Sequence, residues 1–127
     1  VLLTAAALTL GGCALLTPAP PEAQVKARAQ ARWDALTQRN FAQAYALLAP
    51  SLRQLIPEDR WVSRFGTAAA WKSADVVQVS CEVTKCTATV RLQAMVLGAS
   101  RRSPLIETHL DETWVLEGEK WWYFQRL

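Results

Sequence analysis

The stretch VVQVSCEVTKCTATVRLQAMV, Val76 to Val96, decides the fold, because its apolar residues recur at every second position. Val77, Val79, Cys81 and Val83 alternate with Val76, Gln78, Ser80 and Glu82. Further on, Ala88, Val90, Leu92, Ala94 and Val96 alternate with Thr87, Thr89, Arg91 and Gln93. Successive side chains of a strand point to opposite faces, so each half is expected to be a strand with one face on a core. The Val- and Thr-rich flanks place Cys81 and Cys86 opposite one another at the closing end of a hairpin. In an oxidising compartment that pair is expected to form a disulfide, worth about 2 kcal/mol for so short a loop. A redox pair would have CxxC spacing at a helix start. A metal site needs more ligands than two thiols, and His109 is the only histidine, so no metal is expected.

Working outward, the alternation resumes after a loop from Gly98 to Pro104. Ile106, Leu110, Trp114 and Leu116 alternate with Glu107, His109, Asp111 and Thr113, and Glu117-Gly118-Glu119 turns the chain into Lys120 to Phe124. Four strands with short links pair most simply as an antiparallel meander. Upstream the period is 3.6. Val25, Ala29, Trp33 and Leu36 form one stripe of a helix from Glu22 to about Thr37, with Lys26, Arg28, Arg32 and Gln38 away from it. Asn40-Phe41-Ala42-Gln43 has the form of a capping box opening a second helix, with Phe41, Ala44, Tyr45 and Leu48 inward, that ends at Pro50. Ser51-Leu52-Arg53-Gln54 repeats the box at a short turn. Pro57, Glu58 and Asp59 open a third helix containing Trp61 and Phe65, with Gly66 as its C-terminal cap. Helices followed by an antiparallel sheet make an α+β layer: N-terminal helices packed on a four-stranded antiparallel sheet.

In order and length these elements resemble the cystatin-like cone domains of the nuclear transport factor 2-like superfamily. WDALTQRNFAQAYALLAPSLR (Trp33–Arg53) resembles the paired N-terminal helices there, and WVLEGEKWWYF (Trp114–Phe124) the last hairpin. The resemblance spans nearly all of residues 24–127 and implies a curved sheet with a cavity beneath the helices. It does not choose an activity, since that superfamily hosts isomerases, dehydratases, transport adaptors and secretion-system scaffolds.

The amino-terminal segment carries a different message. Val1 to Leu10 is uncharged, too short for the roughly 20 residues of a membrane-spanning helix but suited to the apolar core of a secretory signal. The basic start expected ahead of such a core is not among these residues. Leu10-Gly11-Gly12-Cys13 resembles the lipobox of bacterial lipoproteins, which implies removal of residues 1–12 and acylation, including palmitate, of Cys13. Several acyl chains on one terminus hold a protein stably on a bilayer. Ala14 stands where an inner-membrane retention signal has Asp, so the resemblance implies the periplasmic face of the outer membrane. Thr17-Pro18-Ala19-Pro20-Pro21 favours extended polyproline II at about 3.1 Å per residue. Residues 13–22 are thus expected to be a lipidated tether and residues 23–127 a single α+β domain.

Composition narrows the function. The formal charge of +3 is scattered over both signs, with Arg101-Arg102 the densest basic point and no basic stripe with interleaved aromatics, so nucleic acid is not expected as a partner. No GxSxG, no glycine-rich phosphate loop and no spare Cys–His couple occurs, and no cofactor is implied. The weak catalytic candidates are His109 and Asp111, about 7 Å apart on one face of the third strand; alternation assigns that face to solvent. Arg91 and Glu112 are candidates for a cross-strand pair. Six tryptophans are the remaining oddity. Trp121 and Trp122 point to opposite faces of a strand, so one of them, with Tyr123 or Phe124, lines the cavity or an outer patch. Trp121, Trp122 and Tyr123 are the candidate contacts for a ligand or partner, a homodimer being the alternative cover. The expectation is a non-enzymatic envelope lipoprotein that binds a protein or an apolar ligand, in isolation or within a secretion assembly. The alternative is a small-molecule isomerase, dehydratase or hydrolase using the cavity.

Overall fold

The computed structural model of the chain describes residues 17–65, 69–96 and 104–127. Among these, four helices come first: α1 (Pro21–Thr37), α2 (Phe41–Ala46), α3 (Pro50–Arg53) and α4 (Glu58–Val62). Four strands follow: β1 (Ala69–Cys81), β2 (Lys85–Val96), β3 (Leu105–Glu117) and β4 (Lys120–Phe124). They pair antiparallel in the order β1-β2-β3-β4, an open meander. The fold is α+β, with α1 laid against β1, β2 and β4.

The helices depart from the sequence expectation at their ends, each time for a local reason. α1 begins at Pro21, with Pro20 still extended at φ −59° and ψ 154°. The first residue of a helix has no partner for its N–H, so Pro21 costs nothing there, and the extended Pro-rich stretch ends at Pro20 rather than at Glu22. Asn40 does cap α2, its side chain accepting from the Gln43 N–H at 3.3 Å. α2 then stops at Ala46 instead of running to Pro50, because the next residues serve the edge of β4. The Tyr123 N–H donates to the Leu47 carbonyl and the Ala49 N–H to the Tyr123 carbonyl, both at 2.9 Å. Pro50 starts α3, so Ser51 lies inside that helix and is not its cap. α4 ends at Val62 with Ser63 as its C-cap, so it stops short of Phe65, and Gly66, the expected cap, lies outside the described residues.

In β1 the simple alternation fails. The register runs Val76↔Val90 and then Gln78↔Thr89, so Val77 is an extra residue, and a second shift falls between Trp71 and Ser73. Each bulge moves the following residues to the other face. Ala74 and Val76 are therefore buried while Val77 is 46% exposed, and Val79 and Cys81 return to the covered side. Val83, expected inward, sits at the hairpin tip and is 90% exposed. Beside the bulge, α1 covers the open edge of β1. Gln30 donates through its amide nitrogen to the Ala74 carbonyl at 2.8 Å and accepts through its oxygen from the Val76 N–H at 3.0 Å. One side chain thus satisfies two strand-edge groups that would otherwise be open to another chain.

Val25, Ala29, Trp33 and Leu36 of α1 meet Ala88, Val90 and Leu92 of β2, Trp114 of β3 and Trp121 of β4 in one core. Trp61 joins from α4, edge-on to Phe65 with ring centroids 4.6 Å apart. The Tyr45 hydroxyl donates to the Ile56 carbonyl at 2.7 Å and ties α2 to the turn ahead of α4. At the closed end of β1 and β2, Cys81 and Cys86 are direct cross-strand partners joined by a disulfide. The β3–β4 turn is a two-residue loop closed by Glu117↔Lys120, with Gly118 and Glu119 at φ 57° and 66°. Two positive φ values are what the right-handed strand twist selects at such a turn.

Candidate functional site

The covered face of the sheet carries a charged pair that differs from the pairing expected of the sequence. Glu112 of β3 lies in the core between Leu110 and Trp114, 4% exposed, and Arg32 of α1 meets it, also 4% exposed. Glu112 Oε1 accepts from Arg32 and from the Trp33 indole at 2.8 Å; Oε2 accepts from the Trp114 indole at 3.4 Å. The Arg32 guanidinium lies 3.6 Å from the centre of the Tyr123 ring. Burial pushes the Glu112 carboxyl above the usual range, an effect that Arg32, Trp33 and Trp114 oppose without cancelling. Burial likewise raises the Tyr123 phenol, with Arg32 opposing and Glu112 reinforcing the shift.

Chemically this cluster is a buried hydrogen-bond network whose carboxylate is already occupied on both oxygens, while the Arg32 Nε is left without a partner. It corrects two expectations. Arg32 does not point away from the apolar stripe, and Glu112 does not pair with Arg91, which lies on the opposite face and meets Asp75 at 3.3 Å. A signal was present in both cases. Arg32 stands three residues after Ala29 and four before Leu36, on the flank of the stripe, and Glu112 has the same strand parity as Leu110 and Trp114.

His109 and Asp111 share the outer face of β3 and are both exposed. Asp111 accepts from the Thr89 hydroxyl at 2.7 Å, and His109 is the cross-strand neighbour of Arg91. Among the described residues, no three His, Cys, Asp or Glu side chains come together as a metal site.

The aromatic run at the end of the chain is divided. Trp121 is 3% exposed and belongs to the core, and Tyr123 packs against Trp114 and Arg32. Trp122 lies on the alternate pleat, opposite Val115, half-buried. Its indole donates to the Glu117 carbonyl at 2.9 Å, and the guanidinium groups of Arg28 and Arg53 lie 4.6 and 5.4 Å from its centre. Arg28 also donates to the Trp121 carbonyl, wrapping α1 around the edge of β4. Burial lowers the Arg28 pKa.

Next to that edge is an open pocket of about 400 Å3 between the first turns of α1 and the start of β4. Ala19, Ala23, Ala27 and Trp121 give it an apolar wall, with Gln24, Arg28 and Lys120 as its polar groups. A larger, more open depression of about 580 Å3 lies over Glu58, Asp59, Val62 and Ser63. Cys13, and with it the acylation motif, lies outside the described residues, as do Arg101 and Arg102. No helix among the described residues is long and apolar enough to cross a membrane.

No family model matches the chain, and no curated protein matches it. Among solved structures, the chain is similar to a SEC-C motif containing protein from Rhodopseudomonas palustris, determined in solution. The TM-score is 0.64 at 16% identity, over 81% of this chain and 77% of that one. That likeness agrees with the α+β layer described above and concerns the fold alone.

Proposed function

We propose that this chain is a lipid-anchored binding module of the bacterial cell envelope, held at the periplasmic face of the outer membrane through Cys13. The observation that carries the compartment is the Cys81–Cys86 disulfide, since such bonds persist in exported proteins and are rare where thiols are kept reduced. Leu10-Gly11-Gly12-Cys13 supplies the anchor and the Pro-rich segment ahead of α1 the spacer. The domain's task is binding, of a protein or an apolar ligand, rather than chemistry. In support, its buried carboxylate is saturated by Arg32, Trp33 and Trp114, and His109 and Asp111 stand in solvent. Helices followed by an antiparallel meander also support membership of the nuclear transport factor 2-like superfamily.

Metabolic labelling with a radioactive fatty acid tests the anchor. The wild type should take up label and fractionate with outer membranes, and Cys13→Ser should do neither. Label retained by Cys13→Ser, or a wild type without label, would contradict the proposal. For binding against catalysis, a deletion strain complemented equally by wild type and by His109→Ala/Asp111→Ala is expected. Loss of complementation by a folded double variant would favour the enzyme alternative.

A further inference from the structure

We propose that the pocket between α1 and β4 binds a small amphipathic anion, an acyl chain or comparable apolar group ending in a carboxylate. Its volume of about 400 Å3 is at the lower end of the range for small-ligand sites, roughly 300–1,000 Å3. The wall of Ala19, Ala23, Ala27 and Trp121 is apolar, and three alanines leave open the space that longer side chains would fill. The two charged residues lining it, Arg28 and Lys120, are both basic, and no carboxylate joins them.

Arg28 is already set in place. Its Nε is spent on the Trp121 carbonyl and its face lies over Trp122, which fixes the guanidinium without neutralising it. Among the described residues the ion pairs are Arg32–Glu112 and Asp75–Arg91, so neither Arg28 nor Lys120 has a carboxylate partner there. The lowered Arg28 pKa is the mark of a cation held partly out of water. An anion at this place would restore what burial removed, while its tail covers Trp121. Gln24, whose amide donates to the Ala19 carbonyl, holds the extended segment against the first turn and so shapes the mouth.

The inference rests on the domain being a binding module, but not on the anchor. Calorimetric titration of the full 127-residue chain with decanoate, decanol, decyltrimethylammonium and acetate is the test, with amide NMR to locate the site. Decanoate should bind saturably and shift the signals of Lys120 and Trp121, and the three comparison compounds should bind at least about tenfold more weakly. Lys120→Gln should weaken decanoate about fivefold, and Ala23→Phe, at an exposed helix position, should abolish binding at an unchanged melting temperature. Equal affinity for decanol, indifference to Ala23→Phe, or no saturable binding would overturn the pocket. So would binding of phosphatidylglycerol vesicles, but not of phosphatidylcholine vesicles or decanoate, because the basic groups would then read a bilayer surface. Failure of the titration alongside intact Cys13 labelling would remove this ligand and leave the anchored module standing.

Discussion

The two faces of the sheet each carry an arginine–carboxylate pair, and the contrast between them separates an ion pair that the fold needs from one it merely tolerates. On the outer face, Arg91 and Asp75 meet at 3.3 Å with side chains 45% and 54% exposed. Water and salt screen such a pair, so it is worth about 0.2–1 kcal/mol. On the inner face, Arg32 and Glu112 have side chains 5% and 3% exposed, enclosed by Trp33, Trp114 and Tyr123. There the attraction is stronger and the loss of hydration larger. Removing one partner strands the other's charge in an apolar core, whereas removing both leaves no buried charge, only a packing problem and the Trp33 and Trp114 indole N–H groups without their acceptor.

The largest expected effect follows. Glu112→Leu or Arg32→Met alone should cost about 3–5 kcal/mol in urea unfolding. Opening the disulfide comes next: Cys81→Ala/Cys86→Ala should lose about 2 kcal/mol, read as a lower denaturation midpoint. Gln30→Ala frees the Ala74 carbonyl and the Val76 N–H at the β1 edge and should cost about 1–3 kcal/mol, with faster amide exchange confined to that edge. Asp75→Asn should cost about 1 kcal/mol or less, and that small difference should vanish at high salt.

The pH dependence sharpens the same contrast. The Glu112 carboxyl is raised in the folded state from an ordinary value of 4.5. A raised carboxyl stabilises the fold fully below the unfolded pKa, and that contribution is lost as pH rises through the folded one. Relative to Arg32→Met/Glu112→Leu, the wild type should therefore lose stability on going upward from pH 4.5. A wild type that gains stability relative to the double variant as pH rises would mean that Glu112 is held below its ordinary range.

How much of this was legible beforehand depends on whether the relevant periodicity is local. The β2 alternation, its counterpart at Leu110 and Trp114 of β3, and the stripe of Val25, Ala29, Trp33 and Leu36 can be read from spacing alone, because core burial on one face enforces them; Ile106 and Leu116, expected inward with them, are exposed beyond the reach of the helices. The Cys81–Cys86 partnership follows from hairpin geometry. The phase of β1 is not legible, since Val77 looks like any inward valine until its pairing with β2 reveals the bulge. Nor is the early stop of α2, which answers to the edge of β4 some 75 positions later, Leu47 accepting from Tyr123. The Arg32–Glu112 contact spans 80 residues, and each member looks like a surface charge until the other is set against it. Of the candidate binding aromatics, Trp121 turned out to be core with one edge on the pocket, for which Ala19, Ala23 and Ala27 give no sequence signal.

The central claim is that the buried charge pair is structural, each member holding the other's charge in the core. Urea denaturation of Arg32→Met, Glu112→Leu and the double variant, at one pH and salt concentration, tests it most directly. Each single variant should be severely destabilised, and the double variant should be more stable than either single one, short of wild type by the cost of the two indole N–H groups left without an acceptor. A double variant as unstable as the sum of the singles would contradict it.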